Sequence, residues 1–178
     1  MDCEKYIEYV NNNTESLASY VDTCFEEEKE TIKADLIALI KSKITPPPKH
    51  YELNDHSGEL VEELVEAGVV DLNQTVVDFL QNEYTGDWEW DKKWMTYDDD
   101  MSFNTDTWGT TIMYSAICRR IESEFSVSLS DDELEQISDS CDGFDAIRGM
   151  SDIVGIFMVP SCIAEEFLGI DQLKLSEL

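Results

Sequence analysis

Reactive side chains at short, fixed spacings are the usual mark of chemistry in a sequence, and this chain has few of them. The five cysteines, Cys3, Cys24, Cys118, Cys141 and Cys162, are never closer than the 21 positions between Cys3 and Cys24. Zinc sites want Cys or His in pairs about two to five positions apart, so no zinc motif is present. His50 and His56, the only histidines, stand beside Pro46, Pro47 and Pro48 and read as surface polar residues. The run from Asp98 to Asp106 invites a calcium reading, but Phe103 stands where the turn glycine is needed and Gly109 where the bidentate glutamate is needed. No nucleophile elbow, phosphate-cradling glycine loop or dinucleotide fingerprint occurs, and only eight glycines are available to build one. A Cys or Ser that meets a His and an acid only in the fold stays open. The chain is expected to be a non-enzyme with no metal and no cofactor.

Carboxylate is what the sequence has in abundance, in three clusters. On a helix following Ser57, the residues Glu59, Glu62, Glu63 and Glu66 share the face opposite Leu60, Val61, Leu64 and Val65. These seven steps span about 10 Å of helix axis. Like charges three and four apart oppose the helix by roughly 0.2–0.5 kcal/mol a pair, and no Lys is interleaved. A solvated face and a partner surface both fit. The second cluster, Glu26, Glu27, Glu28 and Glu30, is partly compensated by Lys29 and Lys33 and reads as plain surface. The third runs Asp87, Trp88, Glu89, Trp90, Asp91, Lys92, Lys93, Trp94, followed by Asp98, Asp99 and Asp100. Such tryptophans anchor a partner while the acids pair with its Arg and Lys, or else they pack into this protein's own core. The expected partner-binding set is therefore Glu59, Glu62, Glu63, Glu66, Asp87, Trp88, Glu89, Trp90, Asp91, Asp98, Asp99 and Asp100.

The elements that position these groups are mostly helices. Apolar residues recur every three to four positions from Tyr6 to Ile44, which predicts one or two helices over 2–44 interrupted at Asn11, Asn12 and Asn13, with Thr14 opening the second. The three prolines form a stiff linker between an N-terminal helical segment, 1–45, and a main helical domain, 49–178, that carries the acidic aromatic region. Ser57 and Asn73 are the expected caps of two short helices, and Gly68 ends the first. Residues 83–109 lack a helical period and read as loop with a small extended or β segment. Thr110 to Phe125 predicts a helix buried through Met113, Ala116, Ile117 and Ile121. Ser130 and Glu133 form a capping box before Leu134 and Ile137. A helix from about Asp142 should carry Phe144, Ile147, Ile153 or Val154 and Phe157, and Pro160 with Ser161 should start the last, through Ile163, Phe167 and Leu168. The fold class is mainly α, within α+β if the extended segment forms strands.

Forty Asp and Glu face twelve Lys and Arg among 178 residues, a formal net charge of −28. Hydrophobic residues at 42% are too many for a disordered chain, so the charge belongs to a folded surface. That surface repels phosphate backbones and anionic lipid, which excludes direct binding to nucleic acid and to membranes. Nine of the twelve basic residues are Lys, and Ile, Phe and Trp are present in number, which argues against the surface chemistry of salt-loving organisms. The first residues lack a basic and apolar leader pattern, the longest candidate apolar run, Ile153 to Val159, is too short to span a bilayer, and the odd, scattered cysteines suit a reducing cytoplasm.

One charge per ~1.7 Å of duplex equates a net of 28 to about 48 Å of DNA, close to the diameter of about 40 Å expected of a compact chain of this length. In these traits (small, very acidic, mostly helical, with Trp and Tyr among the acids) the chain resembles the phage-encoded DNA-mimic proteins that block restriction enzymes and CRISPR effectors. No motif is shared, so no residue carries over. The resemblance implies a non-enzymatic inhibitor in the host cytoplasm that occupies the nucleic-acid-binding surface of a defence or DNA-processing protein. Its rivals are an immunity or antitoxin protein that neutralises a basic nuclease toxin, and an acidic adaptor or chaperone for basic proteins. The oligomeric state stays open, a dimer included.

Overall fold

A computed structural model describes residues 3–44, 71–84, 110–157 and 159–178. The three-to-four periodicity at the N-terminus gives two helices, α1 (Glu4–Asn12) and α2 (Thr14–Lys43). They break where the asparagines predict, with Asn13 between them. Asn13 does not cap α2 through its side chain; instead its Nδ2 donates 2.7 Å back to the Tyr9 carbonyl and so closes α1.

Thirty residues make α2 about 45 Å long, the longest of the described elements, and the others pack along it. Its buried stripe runs Leu17, Val21, Cys24, Phe25, Ile32, Leu36 and Ile40, with a gap where the period calls for residue 29. Lys29 fills that gap. Its ammonium lies 5.0 Å over the Phe167 ring and 3.4 Å from Glu26, so the stem covers apolar surface while the charge stays wet. Beneath it Phe25, Phe157 and Phe167 form an aromatic triad with centroids 4.7 to 6.4 Å apart, which fastens α2 to the C-terminal segment.

The remaining helices are α3 (Val76–Glu83), α4 (Thr110–Phe125), α5 (Asp131–Ser140), α6 (Gly143–Met150) and α7 (Pro160–Cys162), the last continuing as a π-helical turn over Ile163–Phe167. Met113, Ala116, Ile117 and Ile121 are fully buried on α4, as the stripe predicts. α2 packs on α4 and α6, α1 on α4, α5 and α6, and α3 on α7. Their buried residues belong to one apolar cluster, from Cys3 to Leu175. Among the described residues the fold is mainly α, with no strand. The one extended pairing there is a bridge between Thr75 and Lys174, where Leu173 and Gln74 carbonyls accept from Val76 and Leu175.

Three local expectations change. The cap of α3 is Thr75, whose Oγ1 accepts from the Asp78 amide at 3.1 Å, because the bridge to the C-terminal segment fixes Thr75 in extended backbone; Asn73 instead donates its own amide to Asp71. The helix from Asp142 stops at Met150 rather than running on to Phe157. Ser151 is drawn away by its hydrogen bond to Asp22, and its Oγ then accepts from the Ile153 and Val154 amides. The last helix widens to a π turn and closes at Gly169, whose φ of +63° lets the Ile170 amide reach the Ala164 carbonyl. The proline linker, the Ser57 helix and the extended segment from residue 85 onward lie outside the described residues.

α6 approaches α1 at Gly143. A β-carbon there would meet Asn11 Oδ1 at 2.8 Å and Val10 Cγ1 at 2.9 Å. The same Oδ1 accepts from the Gly143 amide at 2.8 Å and from the Cys141 thiol at 3.2 Å, so one asparagine satisfies the entrance of α6.

Candidate partner-binding surface

All twelve residues expected to bind a partner, on the Ser57 helix and in the 87–100 region, lie outside the described residues. The second acidic cluster is described. Glu26, Glu27, Glu28 and Glu30 are exposed on α2, and Glu26 pairs with Lys29.

A denser acidic surface lies on α4, α5 and α6. From Ile121 to Ile147 the chain has nine carboxylates and no Lys or Arg. Two of the nine are spent on local structure. Glu122 accepts from the Leu129 amide at 2.8 Å and shapes the α4–α5 turn. Glu133 completes the capping box, accepting from the Ser130 amide and hydroxyl at 2.9 Å while Ser130 Oγ accepts from the Glu133 amide. Those two bonds from Ser130 hold the Glu133 carboxyl below the usual glutamate range. Asp145 pairs with Arg148 at 3.4 Å.

Helical phase does the rest on α5. Ile137 turns inward and is fully buried, which leaves Asp131, Asp132, Glu135 and Asp139 exposed on one side. Among the described residues no cation pairs with any of the four. They occupy eight residue steps, about 12 Å of axis, a mean interval of ~4 Å. A single strand of duplex DNA carries one charge per ~3.4 Å. The signal for this face is in the sequence, as acids at 131, 132, 135 and 139 inside a stretch without Lys or Arg, whereas the capping box involves only Ser130 and Glu133.

Next to this face, α4 and α5 leave a shallow groove of about 260 Å³ lined by Tyr114, Asp131, Leu134, Glu135 and Ser138. Tyr114 is held by Phe144, with centroids 5.2 Å apart. Cys118, one turn along α4 from Tyr114, reports the local field: burial pushes its thiol up, and the Glu122 and Asp131 carboxylates push it further. Burial likewise raises the Cys141 and Cys162 thiols, so the surface offers no activated sulfur nucleophile among these three. Among the described residues no cluster of His, Cys, Asp and Glu is arranged to hold a metal ion, and no helix is long and apolar enough to cross a membrane.

Comparison with protein-family models, with curated proteins and with solved structures returns no match for this chain. What the fold and the surface define is a class: a mainly α protein with a carboxylate face that no cation pairs with among the described residues.

Proposed function

We propose that this chain is a non-enzymatic inhibitor that occupies the nucleic-acid-binding surface of a basic protein, in the manner of antirestriction and anti-CRISPR DNA mimics. The observation that carries this reading is the α5 face, where four exposed carboxylates without cationic partners among the described residues lie at a mean axial interval of ~4 Å, near the ~3.4 Å of a nucleic-acid strand. Lys and Arg that bind phosphate would meet carboxylates at similar spacing. The ordered helix presents them without the chain entropy that a flexible acidic tail would lose on binding. Competition is then direct, since partner and duplex cannot share one surface. The proposed setting is the host cytoplasm. The Ser57 helix and the tryptophans of the 87–100 region remain proposed members of the same interface.

The test is displacement of a fluorescent duplex from a panel of purified restriction endonucleases, CRISPR effector nucleases and other DNA-binding proteins. The reading requires competitive displacement from at least one of them, weakening as salt is raised. Inhibition that leaves duplex binding untouched would overturn it, as would no displacement from any member at large molar excess.

A further inference from the structure

The proposed interface rests on repeated charge, which attracts any cation, but the groove beside it has a shape that favours one cation over another. Its size of about 260 Å³ is below the roughly 300–1,000 Å³ of small-molecule and cofactor sites and suits a single side chain. Its apolar wall is Leu134 and the Tyr114 ring, and its polar rim is Asp131 and Glu135. The i,i+4 spacing sets those two β-carbons about 6 Å apart, so their carboxylates flank whatever sits between them. Ser138 contributes no spare donor, because its hydroxyl already donates to the Glu135 carbonyl at 2.9 Å.

An occupant must therefore be long, apolar in its stem and cationic at its tip. Lysine and arginine both qualify on charge. The aromatic wall discriminates between them, since a planar, weakly hydrated guanidinium stacks on a tyrosine face and forks to carboxylate, whereas an ammonium keeps its water. The protein already uses this mode internally: the Arg120 guanidinium lies 4.4 Å over the Tyr20 ring. Resting on the inhibitor reading for the identity of the partner, we propose that the α4–α5 groove is the seat of one arginine side chain of the basic protein that this chain binds. The stem lies along Leu134, the guanidinium plane stacks on Tyr114, and its N–H groups donate to Asp131 and Glu135.

The experiment titrates ¹⁵N-labelled full-length protein with N-acetyl-arginine amide, N-acetyl-lysine amide and N-acetyl-norleucine amide, following backbone amide shifts. Arginine amide should bind weakly and shift Tyr114, Leu134, Glu135 and Ser138 above all others. Lysine amide should bind several-fold more weakly and norleucine amide not at all. Ser138→Lys, which sets a tethered ammonium in the groove, should abolish the localised shifts with helicity by circular dichroism unchanged. If that variant fails to fold, Asp131→Asn with Glu135→Gln serves, and should weaken binding at least tenfold. Equal binding of arginine and lysine amides would overturn the proposal, as would shifts spread over every acidic segment or persisting in the variants. The probe needs no partner protein, so the two readings fail separately. A chain that binds arginine amide here but displaces no duplex loses the inhibitor reading, and one whose Ser138→Lys variant displaces duplex at full strength loses the groove.

Discussion

Gly143→Ala is the smallest change that tests how closely α1 and α6 meet. The new methyl would stand 2.8 Å from Asn11 Oδ1, 2.9 Å from Val10 Cγ1 and 3.2 Å from the Asn11 backbone nitrogen. None of these yields cheaply. Val10 is branched and fully buried, and Oδ1 is held by the Gly143 amide and the Cys141 thiol. Relief requires the helices to part, which is overpacking at a cost of about 1–3 kcal/mol. Asn11→Ala leaves the Gly143 amide without its side-chain acceptor and the Cys141 thiol with only the longer 3.8 Å contact to the Ile7 carbonyl, and should also cost about 1–3 kcal/mol. Both changes disrupt the same hydrogen bonds, so the double variant should fall short of the sum by about 0.5 kcal/mol or more. Urea denaturation of the four proteins at fixed salt measures this cycle. A Gly143→Ala variant within about 0.5 kcal/mol of wild type, or a strictly additive cycle, would show that α6 does not sit on α1 as described.

Other consequences can be checked with the same protein. Lys29→Met should be tolerated, because it keeps the stem over Phe167, whereas Lys29→Glu should destabilise by about 1–2 kcal/mol by setting a carboxylate beside Glu26 and over an electron-rich ring face. Glu133 has a depressed folded pKa, so its stabilisation is present above the ordinary glutamate pKa of about 4.3 and is lost as pH falls through the folded value. The Glu133→Ala variant should accordingly have a shallower fall of Tm below about pH 4.5 than wild type, and parallel curves would remove the capping box from acid stability. The raised Cys118, Cys141 and Cys162 thiols work at the other end: their contribution is full below the unfolded thiol pKa of about 8.5 and is lost as pH rises through the folded values. Tm should decline above about pH 8.5, and at neutral pH these thiols should react with a disulfide reagent far more slowly folded than unfolded. Excess charge adds a global trend, with Tm rising as salt is raised from about 0.05 to 1 M; a flat profile would mean that the charges are too dispersed to strain the fold.

What the sequence revealed follows the range of the interactions involved. The Ser130 and Glu133 capping box, the α4 stripe through Met113 and Ile121, and the break at Asn13 are set by residues a few positions apart, and they are found where periodicity and cap chemistry put them. Thr75 supplants Asn73 as a cap through reciprocal bonds with Asp78, three positions on, while Thr75 is also bridged to Lys174 in the C-terminal segment, about a hundred residues away. The end of α6 combines a local signal, the Ser151 hydroxyl accepting from the Ile153 and Val154 amides, with the bond from Ser151 to Asp22, 129 positions apart, which no local pattern encodes. By composition Lys29 is charge compensation within a glutamate cluster, yet its position in the α2 stripe makes it cover for Phe167. The α5 face was legible in phase but not in context, since only the fold shows which side of the helix Ile137 turns inward and that a groove lies beside it.

If carboxylates stand in for phosphates, binding must depend on their charge more than on their shape. Asp131→Asn, Asp132→Asn, Glu135→Gln and Asp139→Asn together remove the α5 charge with little change in shape. Losing the favourable acids at the helix start, worth about 0.3–1 kcal/mol each, is partly offset by relieving like-charge pairs of about 0.2–0.5 kcal/mol each, so the fold should persist. At about 0.5 kcal/mol per exposed ion pair the four should be worth about 2 kcal/mol, or about thirtyfold in affinity. The most direct measurement is the inhibition constant of wild type and of this quadruple variant against a fluorescent duplex bound to a susceptible DNA-binding enzyme, at two salt concentrations. A folded variant that competes about thirtyfold more weakly, with a smaller salt dependence than wild type, is the expected result. A folded variant that competes as strongly as wild type at both salt concentrations would contradict it.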